Sequence, residues 1–229
     1  DALLSMRYAN VPTIAAVRGM ALGGGCEILV HCAKRVVAME SYIGLVEVGV
    51  GLLPGGGGLT YIARRAAEQA AAAPGTDLLA FLKDSFVAAA MATVGTSAIE
   101  SRKLGYLLWS DLIVAHRDEL LHVAMTQAKA MADSGWRAPM KGLFPVAGRN
   151  GKATIMAQLV ALRDGGLATA HDFHIASLIA DVVTGGDVDA GTLVSEEYLM
   201  ALERKHFSSL LSHPKSQERM MGLLQTGKP

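Results

Sequence analysis

The stretch of sequence that decides the fold runs from Val11 to Met39 and reads VPTIAAVRGMALGGGCEILVHCAKRVVAM. Its first part, Val11–Val17, is short, apolar and rich in β-branched residues, which predicts a strand buried on both faces. Glycines follow, and Cys26–Lys34 predicts a helix whose basic end complements the helix dipole. Arg35–Met39 predicts a second strand. A strand, a glycine turn, a helix and a second strand are typical of a parallel α/β layer.

The segment Gly19–Glu27 is the most informative part of that stretch. Glycines at the point where a strand turns into a helix let the backbone approach a ligand closely, and the N–H groups of the first helical turn point toward that ligand. Glu27 adds a carboxylate to the same turn, where it can act as a base or hold a water molecule. The structural alternative is that Glu27 stabilises the helix dipole and that the glycines allow tight packing. The residue types alone leave both interpretations open.

A second glycine-rich segment, Gly44–Gly58, contains a single carboxylate, Glu47, among apolar residues. We expect an irregular loop from Glu40 to Pro54 and then a helix that opens at the glycines Gly55–Gly58. Apolar surroundings raise the pKa of a carboxyl group, which makes such a group a general acid at neutral pH. We therefore expect this acid to face the same pocket as the acid of the first glycine turn. The alternative is that Glu47 caps the glycine-rich helix that follows.

The composition changes near residues 60–75, from glycine-rich and poorly charged to rich in Ala, Leu and Met with charges at helical spacing. This change predicts an α/β part over residues 1–75 and a mostly α-helical region over residues 76–229. Ser97 and Glu100 have the spacing of a capping box at a helix start. We predict helices at about 77–93, 97–104, 117–134, 151–162, 170–183, 195–212 and 216–227.

Charge and cysteine content exclude several classes of function. The 229 residues include 21 basic and 21 acidic residues and no basic run, which argues against nucleic acid or an anionic membrane as a partner. Apolar runs end well short of the ~20 residues that span a membrane as a helix. Cys26 and Cys32 form neither a disulfide framework nor a zinc-ligand pattern. We predict a cytoplasmic protein without a metal site that acts on a small molecule.

Three segments together, Ala21–Glu27, Glu47 and Leu53–Gly58, closely resemble the crotonase superfamily, the enoyl-CoA hydratases and isomerases. The resemblance covers residues 9–60. It implies that residues 1–75 form a partial crotonase-like core of the ββα-spiral type, with its N-terminal part missing, followed by the helical region.

The resemblance also implies roles for single residues. The backbone N–H of Gly24 would form half of an oxyanion hole for a thioester carbonyl, Glu27 would activate water, and Glu47 would protonate the α-carbon. The implied reaction is syn addition of water to a 2-enoyl-CoA. Family members that only shift the double bond often keep one acid, so the pair favours a hydratase over an isomerase. Contacts with the acyl-CoA are implied for Leu22, Gly23, Gly25, Pro54 and Gly55.

The end of the chain resembles bacterial fusion proteins that join a 3-hydroxyacyl-CoA dehydrogenase to a C-terminal hydratase, over Leu202–Phe207, Lys215–Arg219 and Thr226–Pro229. This resemblance implies fatty-acid β-oxidation, with NAD bound only by a separate dehydrogenase module and no cofactor in this chain. We expect the chain to form a homo-oligomer or to pack against the missing N-terminal part, which in the family supplies the other oxyanion donor. A non-catalytic helical docking or oligomerisation piece is the alternative of a different class.

Overall fold

A computed structural model describes residues 2–227 of the chain, so the end of the segment Thr226–Pro229 lies outside the described residues. The chain divides into two compact units. Unit 1 comprises Asp1–Leu45 and Thr93–Gly142, and unit 2 comprises Val46–Ala92 and Leu143–Pro229. Each unit draws on residues before and after position 75, so the units and the two regions predicted from composition are different divisions of the chain.

The secondary structure is mainly helical. In the first part of the chain the elements are α1 (Ala2–Arg7), β1 (Ile14–Leu22), α2 (Gly24–His31), β2 (Lys34–Gly44), a 3₁₀ helix (Glu47–Val50), α3 (Gly58–Ala72) and α4 (Leu78–Ala90). The following elements are α5 (Ala98–Lys103), β3 (Leu112–Val114), a second 3₁₀ helix (Arg117–Glu119), α6 (Leu120–Asp133), β4 (Phe144–Pro145), α7 (Gly148–Asp164), α8 (Ala170–Val183), β5 (Leu193–Val194), α9 (Glu196–Leu211) and α10 (Pro214–Thr226).

Unit 1 contains the predicted parallel layer, a three-stranded sheet in the order β1-β2-β3. Both predicted strands are longer than expected. A bulge between Val17 and Gly19 shifts the register, and pairing then continues to Leu22 opposite Gly44. The residues 40–44 that were expected in a loop are therefore strand residues. Because Lys34 pairs in the sheet, α2 ends at His31 and not at Lys34 as predicted.

The prediction that the first strand is buried on both faces is wrong. Only Val17 of β1 is buried, and Met20 is 77% exposed. Side chains project from the two faces of a sheet, and within residues 2–227 the helices that pack on β1 leave Met20 uncovered. One core cluster of unit 1 lies where α6 packs on the sheet, and it contains Val36, Leu120 and Ala124 with Ile14, Leu112, Val114 and Val123 around them.

Beyond the first strand pair, β2 and β3 are joined by a buried ion pair. The Nε atom of Arg35 lies 3.3 Å from Oδ2 of Asp111, and Oδ1 of Asp111 accepts the backbone N–H of Arg35 at 3.0 Å. The pairing satisfies two groups that would be costly to bury alone. It holds the short strand β3, which the sequence pattern did not predict, beside β2.

Unit 2 is a helical unit in which α3, α4, α8 and α9 pack on one another. One of its core clusters contains Ala63, Val146, Val194 and Leu199, with Phe144, Val188 and Leu202 packed against it. The strands β4 and β5 pair antiparallel, Phe144 opposite Val194. Two-residue strands carry no periodicity, so these strands were expected as loops.

The predicted helix starts are largely confirmed. Thr169 and Asp172 form a reciprocal capping box, and Ser195 accepts the N–H of Tyr198 at 3.2 Å. At α5 only half of the predicted capping box is present. The hydroxyl of Ser97 accepts the N–H of Glu100. The Glu100 carboxylate, however, accepts hydrogen bonds from the N–H and hydroxyl of Thr96 and not from the N–H of Ser97. Among residues 2–227, none of the helices is both long and apolar enough to cross a membrane.

Candidate functional site

The first glycine turn lies in unit 1, between β1 and α2. Gly23 has φ 54° and ψ −124°, which a residue with a side chain rarely adopts, and its N–H donates to the carbonyl of Gly44 at 2.9 Å. This hydrogen bond ties the turn to the end of β2. Leu22, the last residue of β1, is half-buried and pairs with the same glycine. The sheet therefore fixes the point at which α2 begins.

Gly24 and Gly25 leave the N-terminus of α2 open. Both are exposed, and a Cβ atom added to Gly24 would meet no described atom within 4 Å. A Cβ on Gly25 would meet only Cβ of Ala21, at 3.9 Å, which is ordinary contact. Within the described part of the chain, Gly24 and Gly25 therefore do not make room for a tightly packed neighbour. The first N–H groups of a helix have no partner in the helix, so this turn can receive an anion or an oxyanion.

Glu27 lies in the first turn of α2 and is 6% exposed. Its backbone is held on both sides: the N–H donates to the carbonyl of Gly23 at 3.0 Å, and the carbonyl accepts a hydrogen bond from Nδ1 of buried His31 at 2.8 Å. The imidazole therefore carries its proton on Nδ1. Glu27 is thus a buried acid two residues after the exposed glycines.

The second acid lies in unit 2, in a segment we call the Glu47 loop, Val46–Gly57. Glu47 is half-buried, with one carboxylate oxygen buried, and it begins the 3₁₀ helix. Its carbonyl accepts the N–H of Leu52 at 3.0 Å, and Gly51 closes the turn with φ +83°. The irregular segment expected here is a compact turn that fixes the backbone of Glu47.

The remaining predicted contact residues of this loop pack against protein. Pro54 is buried. A Cβ atom on Gly55 would lie 2.6 Å from Cδ2 of Phe207 in α9, so the missing side chain makes room for that ring. The substrate contacts that the family resemblance implies for Pro54 and Gly55 stay predictions, and on the side of the phenyl ring Gly55 has no space for a ligand.

A carboxylate at the N-terminus of α3 belongs to Glu203 of α9. Glu203 is fully buried, and it accepts the N–H of Gly57 at 2.6 Å, the N–H of Thr60, and the hydroxyl of Thr60 at 2.7 Å. Sequence reasoning missed this residue. A signal was present, because Glu203 lies on the helix face whose other members are Leu199, Met200, Phe207 and Leu210, where an acid needs a partner.

A third cluster in unit 2 consists of histidines. The rings of His171 and His213 stack with centroids 4.6 Å apart, and His174 lies 5.4 Å from His213. Burial lowers the pKa of His171, and His213 and Arg219 lower it further. The rings are stacked and do not converge on a point, and within residues 2–227 no group of His, Cys, Asp and Glu side chains has the arrangement of a metal site.

The structure distributes the predicted site residues over both units. Leu22, Gly23, Gly24, Gly25 and Glu27 share one strand-to-helix turn in unit 1. Glu47, Pro54 and Gly55 share the Glu47 loop in unit 2. Each group has one carboxylate on a backbone that is held by hydrogen bonds. A functional side chain needs such a fixed backbone.

The sequence is similar to known proteins along its whole length. Residues 1–97 match the family model described as "Enoyl-CoA hydratase/isomerase". Over 234 aligned residues the chain is 39% identical to a protein of Bacillus subtilis (strain 168) named "Probable 3-hydroxyacyl-CoA dehydrogenase", and this match covers 100% of this chain and 28% of that protein. Over 64 residues it is 48% identical to the "Fatty acid oxidation complex subunit alpha" of Colwellia psychrerythraea, covering 28% of this chain and 9% of that protein.

A solved structure shares the fold. The enoyl-CoA hydratase of Bacillus halodurans matches with a TM-score of 0.56 at 13% sequence identity, covering 96% of this chain and 64% of that one. This likeness concerns the fold alone, and it confirms the expected crotonase-like α/β core with a helical C-terminal region. The chain spans only 28% of the length of the Bacillus subtilis relative.

Proposed function

We propose, from the match of residues 1–97 to the enoyl-CoA hydratase/isomerase family model, that the chain is the hydratase module of a multifunctional protein of fatty-acid β-oxidation. The proposed reaction is syn addition of water to a 2-enoyl-CoA. The Bacillus subtilis relative is named as a dehydrogenase and is much longer than this chain, which supports a separate dehydrogenase module as the place where NAD binds.

One observation carries this proposal: Gly24 and Gly25 are exposed and unfilled beside buried Glu27. Addition of water to a conjugated thioester places negative charge on the thioester oxygen. Backbone N–H groups aimed at that oxygen stabilise the charge, and the open start of α2 provides such groups at the position of Gly24. A glycine used for packing would not leave this space.

The two carboxylates divide the proton transfers. Glu27, ionised, accepts a proton from water as the water oxygen bonds to the β-carbon, and the electron pair of the double bond moves toward the thioester. Glu47, protonated, then gives its proton to the α-carbon. Atoms and charge balance, because one water is added and one proton passes from Glu47 to the product while Glu27 gains one. Proton exchange with solvent resets both acids.

The remaining parts of the proposal concern partners and compartment. The substrate is an acyl-CoA, no cofactor is needed in this chain, and a second oxyanion donor comes from another copy or another segment. Both cysteines, Cys26 and Cys32, are free and buried, which supports a reducing compartment such as the cytoplasm.

The test is loss of the conjugated thioester absorbance of crotonyl-CoA, followed with the natural protein that contains this chain. We expect hydration that falls by about 10²-fold to 10⁴-fold in Glu27→Gln and in Glu47→Gln, the range for loss of a general acid or base. The matched control is Glu119→Gln, which changes an exposed acid at the start of α6. It keeps the wild-type rate.

Three results would contradict the proposal in different ways. Hydration that survives both substitutions excludes this catalytic pair. Double-bond migration that needs Glu47 but not Glu27 identifies an isomerase. No turnover together with no binding of crotonyl-CoA favours the non-catalytic docking role.

A further inference from the structure

The last helix of the chain contacts the backbone of the Glu47 loop at two carbonyls. The hydroxyl of Ser216 in α10 donates to the carbonyl of Gly51 at 2.5 Å, and Nη1 of Arg219 donates to the carbonyl of Val48 at 3.2 Å. Val48 follows Glu47 directly, and Gly51 closes its turn. The two carbonyls therefore define the backbone on which Glu47 stands.

The approach is close because Gly51 has no side chain. A Cβ atom there would lie 2.9 Å from Cα of Ser216, and Ser216 itself is fully buried. Helix α10 thus packs directly on the loop backbone. A contact of this kind fixes the position of the loop more strongly than a contact between flexible side chains, because fewer torsions separate the two backbones.

Helix α8 fixes the two residues that make these contacts. Nε2 of His171 lies 3.1 Å from the hydroxyl oxygen of Ser216. Since that hydroxyl gives its one hydrogen to Gly51, the imidazole is the donor and carries its proton on Nε2. Nη2 of Arg219 lies 2.6 Å from Oδ1 of Asp172, the capping-box acid of α8. The Arg219 fork therefore binds the loop with one nitrogen and α8 with the other.

We infer that α10 is a positioning element for Glu47, with Ser216 and Arg219 as positioning residues that hold the turn carrying the carboxylate. Neither residue needs to touch substrate. The consequence for catalysis rests on the proposed function, whereas the restraint of the loop does not. Proton transfer to a carbon demands accurate placement of the acid, so a looser turn lowers the rate of the chemical step more than it weakens substrate binding.

The restraint is tested by amide hydrogen exchange of the peptide that covers residues 46–57. In Arg219→Met we expect this peptide to exchange about tenfold faster than in the wild type, with a smaller increase in Ser216→Ala. Arg219→Lys keeps one donor and gives an intermediate rate. The control Lys215→Met removes an exposed residue of the same helix that pairs with Glu218, and it leaves the loop unchanged. The α2 peptide of unit 1 serves as the internal reference.

Catalysis is tested with the same variants. We expect kcat for crotonyl-CoA to fall about tenfold in Arg219→Met while KM stays within about twofold, and Arg219→Lys to recover part of the loss. Wild-type exchange in both Arg219→Met and Ser216→Ala would overturn the inference, as would faster exchange with an unchanged kcat. If the wild type does not hydrate crotonyl-CoA, the proposed function fails, and exchange alone decides whether α10 holds the loop.

Discussion

The glycine turn before α2 and the Glu47 loop look alike in sequence but use their glycines in opposite ways. At Gly24 a side chain would enter open space, whereas at Gly51 and Gly55 it would collide with Ser216 and with Phe207. The first turn leaves room for a ligand, and the second leaves room for the helices α9 and α10. A glycine-rich motif therefore does not show by itself whether its glycines leave space for a ligand or for another part of the protein, and only the structure distinguishes the two cases.

The N-termini of α2 and α3 also differ in whether they are open to a ligand. The start of α2 presents exposed amides, while the start of α3 is bound by the buried carboxylate of Glu203. A helix N-terminus attracts one anion. The N-terminus of α3 already binds the Glu203 carboxylate, so its glycines do not form a phosphate-binding loop. Of the two turns, only the one before α2 can bind a negatively charged group of a substrate.

Removing that internal anion should have the largest effect on stability. In Glu203→Ala the N–H groups of Gly57 and Thr60 lose their acceptor in a buried site, so we expect a loss of about 3 kcal/mol in the free energy of unfolding. Urea denaturation measures this loss. The control Lys205→Gln, on the exposed face of the same helix, should change stability by less than about 0.5 kcal/mol. Equal effects of the two variants would contradict the assignment of Glu203 as the cap of α3.

A matched pair of glycine substitutions tests the comparison directly. Gly51→Ala adds a Cβ atom at positive φ and against the backbone of Ser216, so we expect it to destabilise the protein by about 2 kcal/mol. Gly24→Ala enters open space and should stay within about 0.5 kcal/mol of the wild type. It should nevertheless reduce crotonyl-CoA hydration, because the methyl group enters the space proposed for the thioester. Thermal denaturation of the two variants decides the point, and a Gly24→Ala protein that is the less stable of the pair would refute it.

The smallest expected effect is a pH dependence of the free energy of unfolding that arises from histidines of α8, the helix that contacts Ser216 and Arg219. Burial lowers the pKa of His171 and of His174 below the ordinary value of 6.5, and His213 lowers both further, against an opposing effect of Asp172 on His171. As the pH falls through 6.5 the unfolded chain binds protons that the folded chain does not. Stability therefore decreases as the pH falls from about 7.5 to about 5.5.

This pH dependence has its own control. His171→Gln keeps a donor for Ser216 but cannot titrate, so its free energy of unfolding should vary less steeply with pH than that of the wild type. His122→Gln changes an exposed histidine of α6 in unit 1 and should retain the wild-type slope. The explanation fails if His171→Gln and the wild type follow the same curve in denaturant titrations at each pH.

Local chemistry made several features predictable. The capping box of Thr169 and Asp172, the serine cap of α9 and the glycine turn before α2 depend on neighbours within four residues, so their residue types identify them. The strands β3, β4 and β5 did not show in the pattern, because each has at most three residues and exists only through its pairing partner. The exposure of Met20 likewise follows from which helices pack on β1 and not from the composition of the strand.

What the sequence by itself determined is the pair of glycine-flanked acids, Glu27 and Glu47, because these patterns are local and resemble one known family. Only the tertiary structure decided which glycines are open, that Glu203 binds the start of α3, and that α10 contacts the Glu47 loop. Glu203 and Arg219 lie more than a hundred residues from the backbone groups they bind. The physical reason is that a buried hydrogen bond between distant segments is specified by packing, and the residues next to one partner do not identify the other.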